Sequence, residues 1–354
     1  MDWSTYQEKF YHSAKLKGCS DEYISNCLHY AQKFVDRNLP VIFDTQHLSL
    51  LIGIDEKYLF KVSNRQDLFY RHFAIPKKSK NGYREIAEPL PNLKIIQQWI
   101  LDEILYYIQP SIYTKSYKKS SSIKDNARFH RGQKKVLTID IVDFFGHVKY
   151  SQVRRLFSEI GYRLPVATML ARLCTLNECL PQGACTSPAI SNLIFKNIDY
   201  RISSYARKLD VRYTRYADDL TFSGDFDPGR VVNFVRYVLN ENNFTVNDGK
   251  TRLREQHQRQ EVTGIVVNTK MQVSKELRRK IGQEVYYIRK FGLKSHLRKI
   301  GAEVTPESYL RRLMGLCNHA VFVNSKDSKL KSDLTFLKSL YRELDTRGNI
   351  ERRE

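Results

Sequence analysis

The residues of this chain best suited to chemistry are three acids: Asp140 and, far downstream, the adjacent pair Asp218-Asp219. Asp140 interrupts Val136-Leu-Thr-Ile-Asp-Ile-Val-Asp143, a run whose length and β-branching predict a buried strand. A bare carboxylate is costly to bury, so this one is expected to face a polar cleft. Residues 211–223 read as strand, turn, strand, which puts Tyr216-Ala-Asp-Asp219 at the tip of a hairpin. Adjacent acids repel unless a cation sits between them. Three carboxylates at strand ends suit two divalent ions roughly 4 Å apart, one activating a hydroxyl nucleophile and both bridging phosphate oxygens. That is the chemistry of nucleotidyl transfer. An isolated Asp-Asp pair is more often plain turn chemistry, so the surrounding sequence must decide.

Composition narrows the partners. Over 354 residues, Lys plus Arg outnumber Asp plus Glu by 59 to 38, a formal charge of +21 that implies a polyanion. No long apolar span, signal-type N-terminus or lipidation motif points to a membrane, so nucleic acid is the expected partner. The six cysteines lack paired C-x-x-C spacing and read as reduced thiols in a cytoplasm.

The elements that must position the acids follow from periodicity. Residues 20–35 carry Ile24, Cys27, Leu28, Ala31, Phe34 and Val35 at helical spacing behind a Ser20 cap. Short helices are predicted over 45–70, and two strands around an Asn81-Gly82 turn over 73–89. Residues 93–108 read as one helix and 116–131 as a polar connection. Ser151 is placed as the cap of a helix that Gly161 ends, and Ser187-Pro188 as the start of one with Ile190, Leu193, Ile194, Ile198 and Ile202 inward. Beyond Met271 the chain is helical and basic. The expected class is α+β, an antiparallel sheet between helical flanks.

Taken in order, Asp140-Ile-Val-Asp-Phe-Phe145, Leu180-Pro-Gln-Gly183 with Thr186-Ser-Pro188, and Tyr216-Ala-Asp-Asp219 closely resemble the palm motifs of reverse transcriptases. The resemblance implies a right-hand polymerase with fingers, an antiparallel-sheet palm and a helical thumb. It makes Asp140, Asp218 and Asp219 the catalytic, metal-binding acids for two Mg2+ ions, with Mn2+ able to substitute. Gln182 and Gly183 would approach template and incoming nucleotide, Phe145 would lie under the sugar, and Lys250 of Asn247-Asp-Gly-Lys250 would face the departing pyrophosphate. Pro76-Lys77-Lys78 and Gly82-Tyr-Arg84-Glu-Ile86 resemble the fingers motifs of bacterial reverse transcriptases, placing Lys77, Lys78 and Arg84 on the triphosphate.

Asn126-Ala-Arg-Phe-His130 and Val262-Thr-Gly264 resemble marker motifs of the retron type. They imply an enzyme that copies a cognate structured non-coding RNA from one of its own 2′-hydroxyls into RNA-linked single-stranded DNA (msDNA), within an antiphage system. Asn126, His130, Val262, Thr263 and Gly264 are thereby RNA-binding candidates. Arg278, Arg279, Tyr286 and Arg289 join them from the basic segment 275–299, where cations can track phosphates and aromatics stack on bases. The implied layout is an N-terminal helical region 1–70, fingers 71–135, a palm 136–268 with some fingers residues, and a thumb with C-terminal helices 269–354. About ninety residues follow Gly264, mostly thumb, so no ribonuclease H domain is expected and template removal falls to a host ribonuclease H. Deoxynucleotides and an accessory effector protein complete the implied partners. The rival readings are a group II intron-like or other antiphage reverse transcriptase, an idle RNA-binding scaffold, and an RNA-dependent RNA polymerase. The last typically carries Gly-Asp-Asp in the hairpin and a second acid where Phe145 stands.

Overall fold

The computed structural model describes residues 2–77, 82–119, 121–301 and 303–350, and side chains through Leu344. The chain opens with α1 (Trp3–Leu16), α2 (Asp21–Val35), α3 (Thr45–Ile52) and α4 (Glu56–Asn64). Ser20 caps α2 as expected, its hydroxyl accepting the Tyr23 N–H at 3.2 Å. The inward face of α2 ends on Phe34, which stacks on Tyr162 at 4.7 Å between ring centres. These helices therefore share one apolar core with the central sheet, running from Tyr30 to Val246.

Next come β1 (Tyr70–Pro76) and β2 (Tyr83–Pro89), paired antiparallel from Tyr70↔Pro89 to Pro76↔Tyr83. Asn81 and Lys78, in the expected turn, lie outside the described residues. Helix α5 (Pro91–Glu103) stops before a 3-10 turn at Leu105–Tyr107, where a single helix was expected. The supposed connection at 116–131 contains α6 (Ile123–Phe129). Its signal was a capping box: the Asp125 carboxylate accepts the Ser122 N–H at 3.0 Å while the Ser122 hydroxyl caps the Asp125 N–H.

The central sheet begins with β3 (Lys135–Ile141), followed by α7 (Tyr150–Ile160) and α8 (Leu164–Cys174). Helix α7 starts one residue before the expected Ser151 cap. Instead the Gln152 side chain accepts the Lys149 N–H at 2.8 Å. The predicted long helix after Ser187 divides into α9 (Ser187–Ile194) and α10 (Lys196–Lys208) at Phe195, whose ring is fully buried. Then follow β4 (Arg212–Tyr216), β5 (Asp219–Gly224), α11 (Pro228–Glu241) and β6 (Val246–Glu255). The four strands run antiparallel in the order β4-β5-β3-β6.

A short hairpin, β7 (Glu261–Val262) and β8 (Ile265–Val266), leads to α12 (Lys275–Phe291), α13 (Leu293–Lys299), α14 (Pro306–Val323) and α15 (Ser328–Ile350). Thr263 and Gly264 join its strands with φ of +47° and +80°, the left-handed pair that a two-residue hairpin turn requires. A second core gathers here: Val262 and Ile265 pack with the inward residues of α12 and α14, and Ala127 of α6 and Val136 of β3 belong to it. Helix α6 thus stands where the two cores meet. Among the described residues no helix is long and apolar enough to cross a membrane, and all six cysteines are free thiols.

Candidate active site

Antiparallel pairing brings the three acids together. Asp140 on β3 lies directly opposite Asp219 on β5, while Ile139 and Ile141 beside it are buried in the core. Strands β4 and β5 pair up to Tyr216↔Asp219, so only Ala217 and Asp218 make the turn. Ala217 takes φ +57°, a conformation that costs a residue with a Cβ roughly 1–2 kcal/mol. The fold holds that turn from three sides. The Ala217 N–H donates to Ser116 Oγ at 2.7 Å, Arg215 Nη1 donates to the Ala217 carbonyl at 3.0 Å, and the Ile141 N–H donates to the Asp218 carbonyl at 3.1 Å.

Arg215 is fully buried beneath this turn, and four of its N–H groups are spoken for. Its Nε and Nη2 grip the two oxygens of buried Asp199 on α10 at 2.9 and 2.8 Å. Nη1 also donates to Asn192 Oδ1 at 3.1 Å, and the Asn192 amide donates to the Ser116 carbonyl at 2.9 Å. Tyr213 donates its hydroxyl to Asp199 at 2.7 Å, and the guanidinium lies 4.5 Å from the centre of the Phe195 ring. Arg215, Asp199, Asn192 and Ser116 escaped the sequence reading. The available signal was a pair of opposite charges, Asp199 beside the inward Ile198 and Arg215 in the strand before the acids.

Burial raises the Asp219 carboxyl to about 6, helped by repulsion from Asp218 and Asp140. Asp218 is raised too, chiefly by burial and then by Asp140, with Lys250 and Arg84 pulling the other way. Asp140 accepts from Lys250 Nζ at 3.1 Å on each oxygen and from Asn247 Nδ2 at 2.9 Å. Among the described residues no three potential ligands are gathered at metal-holding spacing, and Lys250 is paired with Asp140 at 3.1 Å. The donors themselves fit a hard divalent cation: all are carboxylates, half-buried or buried, and two are held above the usual carboxylate range by burial and then by a neighbouring acid.

Comparison with known proteins fixes the family. The sequence profile described as "Reverse transcriptase (RNA-dependent DNA polymerase)" matches residues 75–267. The chain is 32% identical over 266 residues to the Retron Ec86 reverse transcriptase of Escherichia coli, covering 73% of this chain and 83% of that one. The chain belongs to the retron-type reverse transcriptases. It is an RNA-directed DNA polymerase. The Retron Mx65 reverse transcriptase of Myxococcus xanthus is 35% identical over 251 residues, covering 65% of this chain and 58% of that one. Among solved structures, a telomerase from Candida albicans in complex with a TWJ fragment of telomeric RNA aligns at a TM-score of 0.42 and 12% identity. That alignment covers 76% of this chain and 63% of the telomerase, and at such a score it carries no argument.

In this reverse transcriptase the other expected site residues divide into exposed and buried. Arg84, on β2, and Tyr117 both lie within electrostatic range of Asp218. Lys77 sits at the mouth of the β1–β2 hairpin, its N–H bonded to the Gly82 carbonyl at 3.0 Å, and Lys78 falls outside the described residues. Phe145 is half-buried against Phe144, 5.6 Å between ring centres. The Gln182 carbonyl accepts the Ala87 N–H at 2.9 Å. A Cβ on Gly183 would stand 2.6 Å from the Ala87 carbonyl oxygen, so β2 itself demands the glycine.

Asn126, His130 and Val262, expected to touch RNA, are all fully buried within the chain. Thr214 Oγ1 donates its one proton to Asn126 Oδ1 at 2.5 Å, so His130 Nε2, 2.7 Å from Thr214 Oγ1, must be the protonated nitrogen. His130 Nδ1 then accepts from Ser223 Oγ at 2.7 Å, and burial lowers the imidazole to about 3, keeping it neutral. These bonds fasten α6 to both strands of the hairpin that carries Asp218 and Asp219. Exposed Gly264 and its neighbour Thr263 instead line a cleft of about 460 Å³ with Asp219, Thr138, Thr221, Arg252 and Arg254.

Two of the four basic-segment candidates are likewise engaged within the chain. Arg278 pairs with Asp327 at 2.6 Å, and Arg289 pairs with Asp333 at 3.1 Å while covering the Phe336 ring. They tie α12 to the last helix and the turn before it. Arg279 and Tyr286 are exposed.

Arg215→Met is expected to cost about 3–5 kcal/mol in urea unfolding, because it strands Asp199 as a buried, unpaired charge. Adding Asp199→Leu should recover much of that stability but not primer extension, since the Ala217 carbonyl stays unsupported. Equal recovery of both would show that the pair acts on stability alone.

The raised Asp219 carboxyl also sets a pH dependence with a definite sign. Between about pH 4 and 6 the unfolded chain has lost this proton while the folded one keeps it, so stability falls as pH rises through that window. In metal-free buffer at pH 7, Asp219→Asn should therefore be more stable than the parent by up to about 3 kcal/mol, and the gap should close toward pH 4. Paired thermal melts across that range check it.

Proposed function

We propose that this enzyme copies a cognate structured non-coding RNA into single-stranded DNA, beginning at a 2′-hydroxyl within that RNA, as part of an antiphage defence system. The product is msDNA, still joined to its template RNA. The observation that carries this reading is the shared cleft: the Thr263-Gly264 turn of the retron marker lines the same cavity as Asp219. An RNA held at that turn would present its hydroxyl beside Asp219, one of the acids assigned to hold the metal ions.

On this reading residues 71–135 act as fingers, 136–268 as a palm with some fingers residues, and 269–354 as thumb and C-terminal helices, after the helical region 1–70. Asp140, Asp218 and Asp219 would hold two Mg2+ ions, replaceable by Mn2+, which supply Lewis acidity to the attacking hydroxyl and the triphosphate. The chain's own residues do the rest. Arg84 grips triphosphate oxygens with its planar fork, and Lys77 and Lys78 neutralise them as point charges. Gln182 meets the template and nucleotide, and Lys250 turns toward the departing pyrophosphate. A 2′-hydroxyl is a poor nucleophile unless held in line, so positioning is the main contribution of the cleft and of Arg279 and Tyr286 on α12. The partners are the cognate RNA and its msDNA, deoxynucleotides, a host ribonuclease H that trims the template, and an accessory effector protein.

Phe145, five positions after Asp140, is assigned to exclude ribonucleotides by filling the space of a 2′-hydroxyl. Phe145→Ala should then incorporate ribonucleotides at least tenfold more readily relative to deoxynucleotides, the scale of losing one apolar wall of a pocket. Unchanged selectivity in single-nucleotide extension would leave Phe145 as packing.

The reading as a whole is tested by expressing the protein with its neighbouring RNA gene and recovering the DNA. That DNA should stay bound to RNA after denaturation, be released by debranching enzyme, and be absent from the Asp218→Asn variant. An unbranched product that begins at an ordinary 3′-end would remove the 2′-priming and leave the polymerase standing.

A further inference from the structure

Strand β6 departs from regular pairing at one place. Opposite β3 its register passes from Asp140↔Asn247 to Thr138↔Arg252, so β6 advances five residues while β3 advances two. The extra residues form a bulge that turns Lys250 back over Asp140. The bulge backbone is pinned at several points. Arg236 grips Asp248 with two bonds of 2.6 and 3.0 Å, Thr251 Oγ1 donates to the Asn247 carbonyl at 3.1 Å, and Arg252 Nη2 donates to the Gly249 carbonyl at 2.5 Å. The lysine is held differently. Its side chain is 65% exposed, whereas the Asp140 side chain is 10% exposed. One end of the ion pair is fixed in the sheet, and the other is free to swing into solvent without moving the backbone.

Both oxygens of Asp140 are equidistant from the ammonium, at 3.1 Å. A cation that bridges a carboxylate this symmetrically occupies the direction from which a metal ion would bind it. Asn247 donates to the second oxygen at 2.9 Å, fixing the plane of the carboxylate. We infer that Lys250 is a resident placeholder on Asp140, that a divalent cation must displace it to bind, and that Asn247 keeps the carboxylate aimed while the exchange occurs. The inference rests on the reading of Asp140 as a metal-holding acid. It adds an order of events: Lys250 is released toward the triphosphate only once a cation has taken its place. Polymerisation is thereby denied its lysine until the cation is seated.

The test is Mn2+ binding by the whole chain without nucleic acid or nucleotide, with free Mn2+ read by electron paramagnetic resonance. Lys250→Met should bind its first Mn2+ roughly five- to tenfold tighter than the parent, the equivalent of not having to break a half-exposed ion pair. Arg254→Met is the control for general repulsion, since Arg254 lines the cleft that holds Asp219 while the side-chain bonds to the Asp140 carboxylate come from Lys250 and Asn247. It should leave the affinity within about twofold, the size expected of an exposed, screened charge. Equal tightening in both variants would overturn the placeholder and leave only the field of the cleft. Asp140→Asn separates the two layers. If it loses Mn2+ binding while Lys250→Met binds as the parent does, the placeholder alone fails. If Asp140→Asn binds Mn2+ unchanged, the metal reading of Asp140 fails first. Should Lys250→Met melt too low to titrate, Lys250→Gln carries the same comparison, and added Mn2+ should raise its melting temperature more than the parent's.

Discussion

A guanidinium sealed inside the protein is the constraint on which the rest of this site depends. Arg215 and Asp199 have side chains with no exposure at all, and a buried charge pair of this kind is tolerable only when its remaining hydrogen-bonding capacity is met. Here it is met by Asn192 and by the carbonyl of Ala217. Satisfying the arginine therefore fixes the strained two-residue turn, and the turn fixes Asp218 and Asp219 opposite Asp140. The electrostatic need of one buried residue becomes the geometry of three others. Burial, and after it repulsion from the neighbouring acids, then pushes the Asp218 and Asp219 carboxyls toward neutrality.

What the sequence disclosed, and what it hid, follows from how local each interaction is. The acids were legible because strand alternation and a hairpin turn act over a few residues. The α2 cap at Ser20 and the strands around Asp140 were legible for the same reason. Arg215 and Asp199 were not, because an ion pair between β4 and α10 leaves no local pattern beyond a charge where an apolar residue was expected. The break at Phe195 was hidden likewise: the apolar spacing continues across it, and only tertiary packing divides α9 from α10. Helix α6 should have been visible, since Ser122 and Asp125 form a capping box in plain sight. The polar character of its surroundings concealed it.

The charge of the chain tells a similar story. A formal +21 pointed to a polyanion, and the basic segment 275–299 was the natural place to spend it. Yet Arg278 and Arg289 neutralise Asp327 and Asp333, whose side chains are each only 7% exposed. These arginines assemble the helical layer itself. Arg252 and Arg254 instead face the cleft beside Asp219.

Helix α6 has a consequence for how specificity can change in such enzymes. Its residues Asn126 and His130 identify the type by sequence, but they look inward, to Thr214 and Ser223, and are sealed from any template. These residues brace the place where the two cores meet. On the proposed reading, redirecting the enzyme to a different template would be a matter of repainting exposed positions such as Arg279 and Tyr286 over an untouched frame. On that reading the frame and the surface that meets the template are separable parts of this molecule.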